Sequence, residues 1–145
     1  MQAAVPSSVA DVFEGALAAA PDREALVTRT RRLTYRQLHE EADRAAQALR
    51  AVGIGPGDRV AASLPNEVDV VVAFHGAMRL GAVWVGVNRL LAPPEKRFLL
   101  EDSGASLLLC DDDLPDLGVR VVSTGAWREA VAAAPAEPVG VVVDP

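Results

Sequence analysis

The sequence of 145 residues contains a single cysteine, Cys110, and a single lysine, Lys96. One thiol can form neither a disulfide framework nor a cysteine metal cluster, which predicts a reducing, cytoplasmic setting with Cys110 as a small core residue. The net charge is −6 and the arginines are scattered, so the basic stripe of a nucleic-acid binder is missing. No apolar run approaches the ~20 residues that a membrane-spanning helix needs. The composition therefore argues against a disulfide scaffold, a nucleic-acid partner and a membrane span.

Half of the residues are hydrophobic, and the length suits one domain with one core. We therefore predict a single domain over residues 1–145. The first twenty residues have no basic start and carry Asp11 and Glu14 within their most apolar part. A secretory signal peptide has the opposite pattern, so none is predicted.

The stretch from residue 59 to residue 87 has the pattern of a strand, a helix and a second strand. A helix is predicted over Glu67–Leu80, with Asn66 as its N-cap and Gly81 as its stop. Its apolar residues are too widely distributed for one stripe, which indicates a helix covered on most sides. The uninterrupted apolar run Ala82–Val87 predicts a strand buried on both faces, and Arg59–Leu64 predicts the strand before the helix.

The segments before this unit predict two helices and a hairpin. Apolar residues at helical spacing within Val9–Ala20 indicate a short amphipathic helix that covers the sheet. Ala25–Thr28 and Arg31–Leu33 are two extended pieces about a polar turn, which is typical of a β-hairpin. Thr34 and Gln37 have the spacing of a capping box and open a long helix that ends before Gly53. One face of this helix is predicted to be apolar, with Leu38, Ala42, Ala45, Leu49 and Val52. The other face is predicted to be polar, with Arg36, Glu40, Asp43, Arg44, Gln47 and Arg50.

Strands and helices also alternate after residue 92. Pro93–Glu95 has the signature of a helix N-terminus, and Ala105–Cys110 and Val119–Val122 predict two more strands. Ser123–Thr124 predicts the cap of a last helix. The sequence therefore indicates an α/β fold with a largely parallel sheet flanked by helices and an N-terminal β-hairpin.

Two stretches invite a ligand-binding interpretation that their context does not support. Gly53–Asp58 is rich in glycine, but it leaves a helix and enters a strand, whereas a phosphate loop follows a strand and opens a helix. An independent nucleotide-binding domain is therefore the weakest hypothesis. Asp111–Asp113 offers three adjacent carboxylates that cannot all face one ion, so a solvated turn is predicted and no metal site.

The order and spacing of short motifs between Val9 and Asp113 resemble the N-terminal part of the adenylate-forming acyl-CoA synthetases, the AMP-dependent synthetase/ligase family. The matching motifs are Pro21-Asp22-Arg23-Glu24-Ala25-Leu26, Leu33-Thr34-Tyr35-Arg36-Gln37-Leu38, Gly53-Ile54-Gly55-Pro56-Gly57-Asp58-Arg59-Val60, Leu64-Pro65-Asn66, Leu80-Gly81-Ala82-Val83, Val87-Asn88 and Leu100-Glu101-Asp102-Ser103-Gly104-Ala105.

This resemblance implies a ligase that uses ATP and Mg²⁺ to form an acyl-adenylate and then transfers the acyl group to coenzyme A. The family's phosphate loop with its lysine, its ribose-binding acid and its C-terminal catalytic lysine are not found in this sequence. The chain would then be a scaffold that binds no cofactor alone and works with the remainder of a synthetase on a fatty or aryl acid. The alternative hypothesis is a non-catalytic α/β interaction module derived from that fold.

The resemblance implies one site residue. Some relatives carry an arginine that meets the nucleotide end of CoA in the turn after the strand that matches Ala82–Val87. Arg89 lies one position early for that role, and a plain surface arginine is the alternative. Lys96 is expected near the start of a surface helix, remote from any cleft. His39 is expected on the surface of its helix, and His75 is expected to be a satisfied core or groove histidine.

Ten apolar residues are predicted to form the common core: Leu38, Leu49, Val60, Val71, Phe74, Met78, Val83, Val85, Leu99 and Leu108. The C-terminal segment, Val139–Val143, is apolar, β-branched and uncharged. We expect it either to mediate self-association or to fray.

Overall fold

The structure is a computed structural model that describes residues 5–114 and 117–144. Its helices are α1 (Glu14–Ala19), α2 (Tyr35–Ala51), α3 (Val68–Arg79), α4 (Pro93–Ser103) and α5 (Thr124–Ala133). Its strands are β1 (Glu24–Val27), β2 (Arg32–Thr34), β3 (Arg59–Ser63), β4 (Val83–Gly86), β5 (Leu107–Cys110) and β6 (Arg120–Val122). None of the described helices has the length and apolar character needed to cross a membrane.

Four strands form a parallel sheet in the order β4-β3-β5-β6, and β1 pairs with β2 as a separate antiparallel hairpin. Ala61 at the centre of β3 lies opposite Val85 on one side and Leu108 on the other. α3 connects β3 to β4 and α4 connects β4 to β5, because a parallel crossover needs a long connection. The predicted fold class, including the hairpin, is confirmed.

Side chains alternate between the two faces of β3. Val60 and Ala62 pack in one cluster with residues of α2, α3 and α5, whereas Ala61 packs with Leu100 of α4. One face of the sheet therefore carries three helices among the described residues, and the other face carries only α4. This unequal covering leaves apolar side chains exposed on the α4 side.

The sequence predicted the N-terminal cap of α2 correctly but not that of α3. The capping box at α2 is confirmed, since the Gln37 amide donates to Thr34 Oγ1 at 3.2 Å and the Thr34 amide donates to Gln37 Oε1 at 2.9 Å. The predicted N-cap of α3 is wrong. Glu67 takes that position in place of Asn66, and its side chain makes no capping hydrogen bond.

A close approach of two helix backbones explains the glycine within α3. A Cβ atom built on Gly76 would lie 2.6 Å from Ala45 Cβ and 2.9 Å from the Ala45 carbonyl carbon. Both distances are shorter than van der Waals contact, so only glycine fits where α3 crosses α2. Three alanines of α2, Ala42, Ala45 and Ala46, are fully buried.

The predicted core is confirmed at its centre and wrong at its edge. Leu38, Leu49, Val60 and Leu108 are buried, and five other predicted core residues are half-buried: Val71, Phe74, Met78, Val85 and Leu99. Val83 is 47% exposed. The reason is that β4 is an edge strand, so the prediction that it is buried on both faces is wrong.

The N-terminal segment packs on helices and not on the sheet. In place of one helix, it forms a 3₁₀ turn at Val9–Asp11 followed by the short α1. Phe13 anchors it, with its ring 6.4 Å from the Tyr35 ring and 5.0 Å from the His75 ring. The prediction that this segment covers the sheet is therefore wrong, because it contacts α2 and α3.

The residues that lead from α5 into the C-terminal segment are bonded to α2. Arg44, Gln47 and Arg50 follow one another on α2, and each donates to a backbone carbonyl between residues 134 and 139. Val139 and Val141 pack against the main core, whereas Val142 is 90% exposed. These contacts hold most of the segment to the body of the fold, so a freely fraying segment is not what the structure shows.

Candidate functional site

The carboxyl ends of the parallel strands contain a topological switch point. β3 pairs with β4, the next strand in the chain, on one side and with β5 on the other. The helices that follow β3 and β4 lie on opposite faces of the sheet. Open α/β sheets bind their ligands outside the carboxyl ends of the strands at such a point. The crevice between the ends of β3 and β5 is therefore the candidate site.

Ser63 and Cys110 are neighbours at the ends of β3 and β5 and are almost completely buried. The Ser63 hydroxyl has no hydrogen-bond partner among the described residues. The Cys110 sulfur accepts from the Asp112 amide at 3.4 Å, and burial is the main cause that raises the pKa of this thiol. A protonated buried thiol is a weak nucleophile, which agrees with Cys110 as a small core residue.

Lys96 joins this edge from α4. Its side chain is only 2% exposed, and Nζ lies 2.5 Å from Asp112 Oδ2. The hydrogen bond from Lys96 is the main cause that holds the pKa of Asp112 below its ordinary value. The prediction that Lys96 lies on a surface helix remote from any cleft is wrong, because Lys96 precedes the buried Leu100 by one helical turn and shares its inward face.

The first aspartate of the acidic run is also held in place. Asp111 accepts hydrogen bonds from the Thr124 amide at 2.6 Å and from the Thr124 hydroxyl, and these bonds lower its pKa. Thr124 begins α5, so the carboxylate also lies at the positive end of that helix. The run is exposed as predicted, but Asp111 and Asp112 have specific protein partners. Within residues 5–114 and 117–144 there is no group of three or more metal-ligating side chains.

Arg89 lies in the turn that follows β4, beside the same edge. The Asn88 side chain shapes this turn by accepting from the Leu90 amide at 2.9 Å. Arg89 is exposed and forms no ion pair with another described residue. Its positive charge is one of the causes that lower the pKa of Asp112. The structure therefore brings Arg89, Lys96 and Asp112 to one edge of the sheet, and we call these three residues the carboxyl-edge cluster.

Removal of Asp112 and removal of Lys96 should have unequal effects on the free energy of unfolding. Asp112→Ala leaves the Lys96 ammonium buried without its carboxylate and is expected to lower the free energy of unfolding by about 2–4 kcal/mol. Lys96→Met replaces a buried charge by a side chain of similar length and is expected to change it by less than about 1 kcal/mol. Urea denaturation of both variants measures the difference. Equal losses in the two variants would show that Lys96 is not buried.

A second polar cluster lies away from this edge, between α2 and α3. Arg79 donates to Asp43 Oδ1 at 2.8 Å and to the His39 carbonyl at 2.8 Å, and its second terminal nitrogen lies 3.0 Å from His39 Nδ1. Asp43 is 6% exposed although its place on the predicted polar face suggested solvent. His39 is half-buried and is not a plain surface residue. These contacts join α2 to α3.

His75 is packed but not satisfied by hydrogen bonds. Its ring meets Phe13 and Phe74 edge to face at 5.0 and 5.2 Å, and Nδ1 has no partner among the described residues. Burial, with a smaller contribution from the charge of Arg79, lowers the pKa of His75 to about 4. His75 is therefore a neutral packing residue at physiological pH, and it lies outside the carboxyl-edge cluster.

Acid should destabilise the fold through His75. Its folded pKa lies below the unfolded value of 6.5, so the stabilisation is complete above pH 6.5 and is lost as pH falls towards 4. After allowance for partial exposure, we expect the wild type to lose about 1–2 kcal/mol more than His75→Phe between pH 7 and pH 4.5. Urea titrations at both pH values measure this. Parallel slopes in wild type and His75→Phe would contradict the assignment.

A family profile described as "AMP-binding enzyme" matches residues 13–144. The chain belongs to this family. The resemblance given by the motifs is therefore confirmed over most of the chain. Two of those motifs end at the carboxyl edge, since Leu64-Pro65-Asn66 follows β3 and Val87-Asn88 follows β4.

Named AMP-binding relatives include ligases for different acids. The chain is 47% identical over 78 residues to the long-chain-fatty-acid–CoA ligase FadD13 of Mycobacterium tuberculosis. This alignment covers 54% of the chain and 16% of FadD13. The chain is 38% identical over 96 residues to the 3-hydroxybenzoate–CoA ligase of Aromatoleum sp., covering 66% of the chain and 18% of that protein. The chain therefore spans less than one fifth of the length of these two relatives.

Solved structures of AMP-binding relatives share this fold. The N-terminal domain of FACL13 from Mycobacterium tuberculosis superposes with a TM-score of 0.84 at 30% identity, and the match covers 94% of this chain and 38% of that domain structure. Sequence reasoning named Arg89 but missed Ser63, Lys96 and Asp112. The spacing of Lys96 to Leu100 was the available signal for the buried lysine.

Proposed function

We propose that the chain is the N-terminal portion of an ATP-dependent carboxylic acid–CoA ligase that acts through an acyl-adenylate. The observation that carries the proposal is the family match over residues 13–144, together with relatives that act on a fatty acid and on an aryl acid. The substrate class is accordingly a fatty or aryl acid. The complete enzyme would use ATP, Mg²⁺ and CoA.

We further propose that the chain alone is inactive and binds none of these cofactors. Its only lysine is buried in the pair with Asp112, so it is not available to a triphosphate. Asp111 and Asp112 are engaged by Thr124 and Lys96, and the described residues present no cluster that fits a metal ion. The residues present therefore do not fit Mg·ATP.

Arg89 is our candidate for contact with CoA in the complete enzyme. Its side chain is exposed at the carboxyl edge, and its positive charge is one of the causes that lower the pKa of Asp112. An arginine can bind a phosphate through two parallel hydrogen bonds. The fixed turn after β4 supports this assignment, because Asn88 holds the backbone beside Arg89.

The proposed partner is the remainder of the synthetase, and the surface that supports this proposal lies on the α4 side. Four large apolar side chains are exposed there: Val83 (47%), Leu90 (92%), Phe98 (63%) and Val121 (44%). Parallel sheets normally have both faces covered, but here α4 is the single described helix on this face. We name these four residues the α4-side surface.

Association with the remainder of a relative tests this partnership. The isolated chain is mixed with FadD13 from which the matching N-terminal part has been removed, and the dissociation constant is measured by calorimetry. We expect Phe98→Glu to weaken binding by about tenfold or more, because it places a charge in an apolar contact. Val27→Glu is the matched control, since Val27 is 52% exposed on the hairpin. Equal effects of the two variants would reject the α4-side surface as the interface.

Self-association through Val139–Val143 is a separate proposal, supported by the exposed Val142. A cytoplasmic setting is likewise proposed and is supported by the lone, protonated Cys110 thiol. Sedimentation of the chain and of Val142→Lys tests self-association, because the added charge should dissociate any oligomer. A wild-type chain that sediments as a monomer at all concentrations would exclude it.

A further inference from the structure

A cavity of about 340 Å³ lies between α2, α3, α5 and the turn of the hairpin. Its floor is apolar and is formed by Val72 of α3 and by Trp127 and Val131 of α5, which are all buried. None of these residues belongs to the carboxyl-edge cluster. The volume falls in the range of small-molecule sites and suits a ligand of about ten non-hydrogen atoms.

Two of the three arginines at the rim of the cavity are neutralised by carboxylates. Arg31 forms an ion pair with Glu41, and Arg128 forms one with Asp69 at 2.7 Å. Three hydrogen bonds join Arg128 to Asp69, which fixes that side of the rim. Each of these ion pairs has a net charge of zero. They form the walls of the cavity but provide no unpaired charge that could bind a ligand.

The third arginine, Arg44, carries the uncompensated charge. It is half-buried on α2, and Nη1 donates to the Ala134 carbonyl. Among residues 5–114 and 117–144 it takes part in no ion pair. A partly buried charge beside an apolar floor is stabilised by an anion, and a guanidinium has five donors arranged to hold a carboxylate.

We propose that this cavity binds a small monocarboxylate with an aliphatic or aromatic body. Its carboxylate meets the Arg44 guanidinium and its apolar part contacts Trp127, Val72 and the methylene stems of the rim arginines. The proposal concerns binding of the acid alone and includes no step that activates it. The proposal therefore holds or fails independently of any ligase activity.

Binding is measured in a Trp84→Phe background, which leaves Trp127 as the only tryptophan. Octanoate and benzoate are titrated by calorimetry, and Trp127 fluorescence reports whether the ligand reaches the cavity. We expect saturable binding of both acids. We expect none of 1-octanol, which lacks the charge, or of inorganic phosphate, which lacks the apolar body.

Two matched variants separate the cavity from the C-terminal contacts. Arg44 and Arg50 both donate from α2 to a backbone carbonyl near the C-terminus, but only Arg44 lines the cavity. Arg44→Met is expected to weaken acid binding at least about tenfold, and Arg50→Met to change it less than about twofold. Arg44→Lys keeps the charge without the planar fork and should fall between them. No saturable binding, equal losses in both Met variants, or equal binding of phosphate would overturn the proposal.

Discussion

The isolated chain is expected to show no binding of Mg·ATP and no exchange of pyrophosphate into ATP with short, long or aromatic acids. Adenylation requires preorganised donors around the triphosphate, and loss of even one such donor typically costs about 10²- to 10³-fold in rate. The only lysine is held by Asp112 at 2.5 Å and is buried. Loss of the whole set of donors should therefore reduce exchange to the level of the blank.

Calorimetry and radiolabelled exchange measure this expectation. A full-length AMP-binding ligase serves as the positive control, and Lys96→Met should behave like the wild type because Lys96 has no part in nucleotide binding. Micromolar binding of ATP by the chain alone, or exchange above the blank, would place the nucleotide site within these residues.

Substitution of Gly76 is expected to have the largest effect on stability. A Cβ atom at this position would lie 2.6 Å from Ala45 Cβ and 2.9 Å from backbone atoms of α2. Gly76→Ala is expected to lower the free energy of unfolding by about 1–3 kcal/mol, although alanine favours a helix by about 1 kcal/mol over glycine. Gly76→Leu is expected to cost about 4 kcal/mol or more, since α2 and α3 would have to separate.

Glycines in other helices provide the controls. At Gly125 in α5 the nearest atom to a built Cβ is Ser123 Oγ at 4.0 Å, and at Gly15 in α1 nothing lies within 4 Å. Gly125→Ala and Gly15→Ala should therefore be neutral or stabilising by up to about 1 kcal/mol. Urea denaturation measures all four variants. A stabilising Gly76→Ala would show that α2 and α3 do not approach this closely.

Local chemistry explains which parts of the fold were predictable. The α2 capping box depends on Thr34 and Gln37 alone, and the hairpin on residues close in sequence, so both followed from local pattern. The alternation of strands and helices likewise indicated a parallel sheet. The lateral order of the strands is not local, and for that reason the edge position of β4 and the exposure of Val83 were missed.

Charged residues were the main source of error within the helices. Lys96 and Asp43 were assigned to solvent because of their charge, yet each is buried against a partner that is distant in sequence. Asp43 pairs with Arg79 and Lys96 with Asp112, and neither pairing can be read from helical periodicity alone. Charge predicts exposure only when no partner of opposite sign is brought close by the fold.

The hydrogen bonds from α2 to the C-terminal residues were equally non-local. Arg44, Gln47 and Arg50 were predicted correctly as one polar face, but their partners are carbonyls about ninety residues away. The sequence therefore predicted the polar face but not the C-terminal residues that bind to it. The same holds for the cavity beside Arg44, whose walls come from three helices and the hairpin turn.

The most direct test is a chimera in which this chain replaces the matching N-terminal part of FadD13 from Mycobacterium tuberculosis. Pyrophosphate exchange and acyl-CoA formation are measured with fatty and aryl acids, with unmodified FadD13 as the reference. We predict activity in the folded chimera that is lost when its phosphate loop is mutated. A chimera that is folded and monodisperse but catalyses neither reaction with any acid would contradict the assignment of this chain as the N-terminal portion of an acid–CoA ligase.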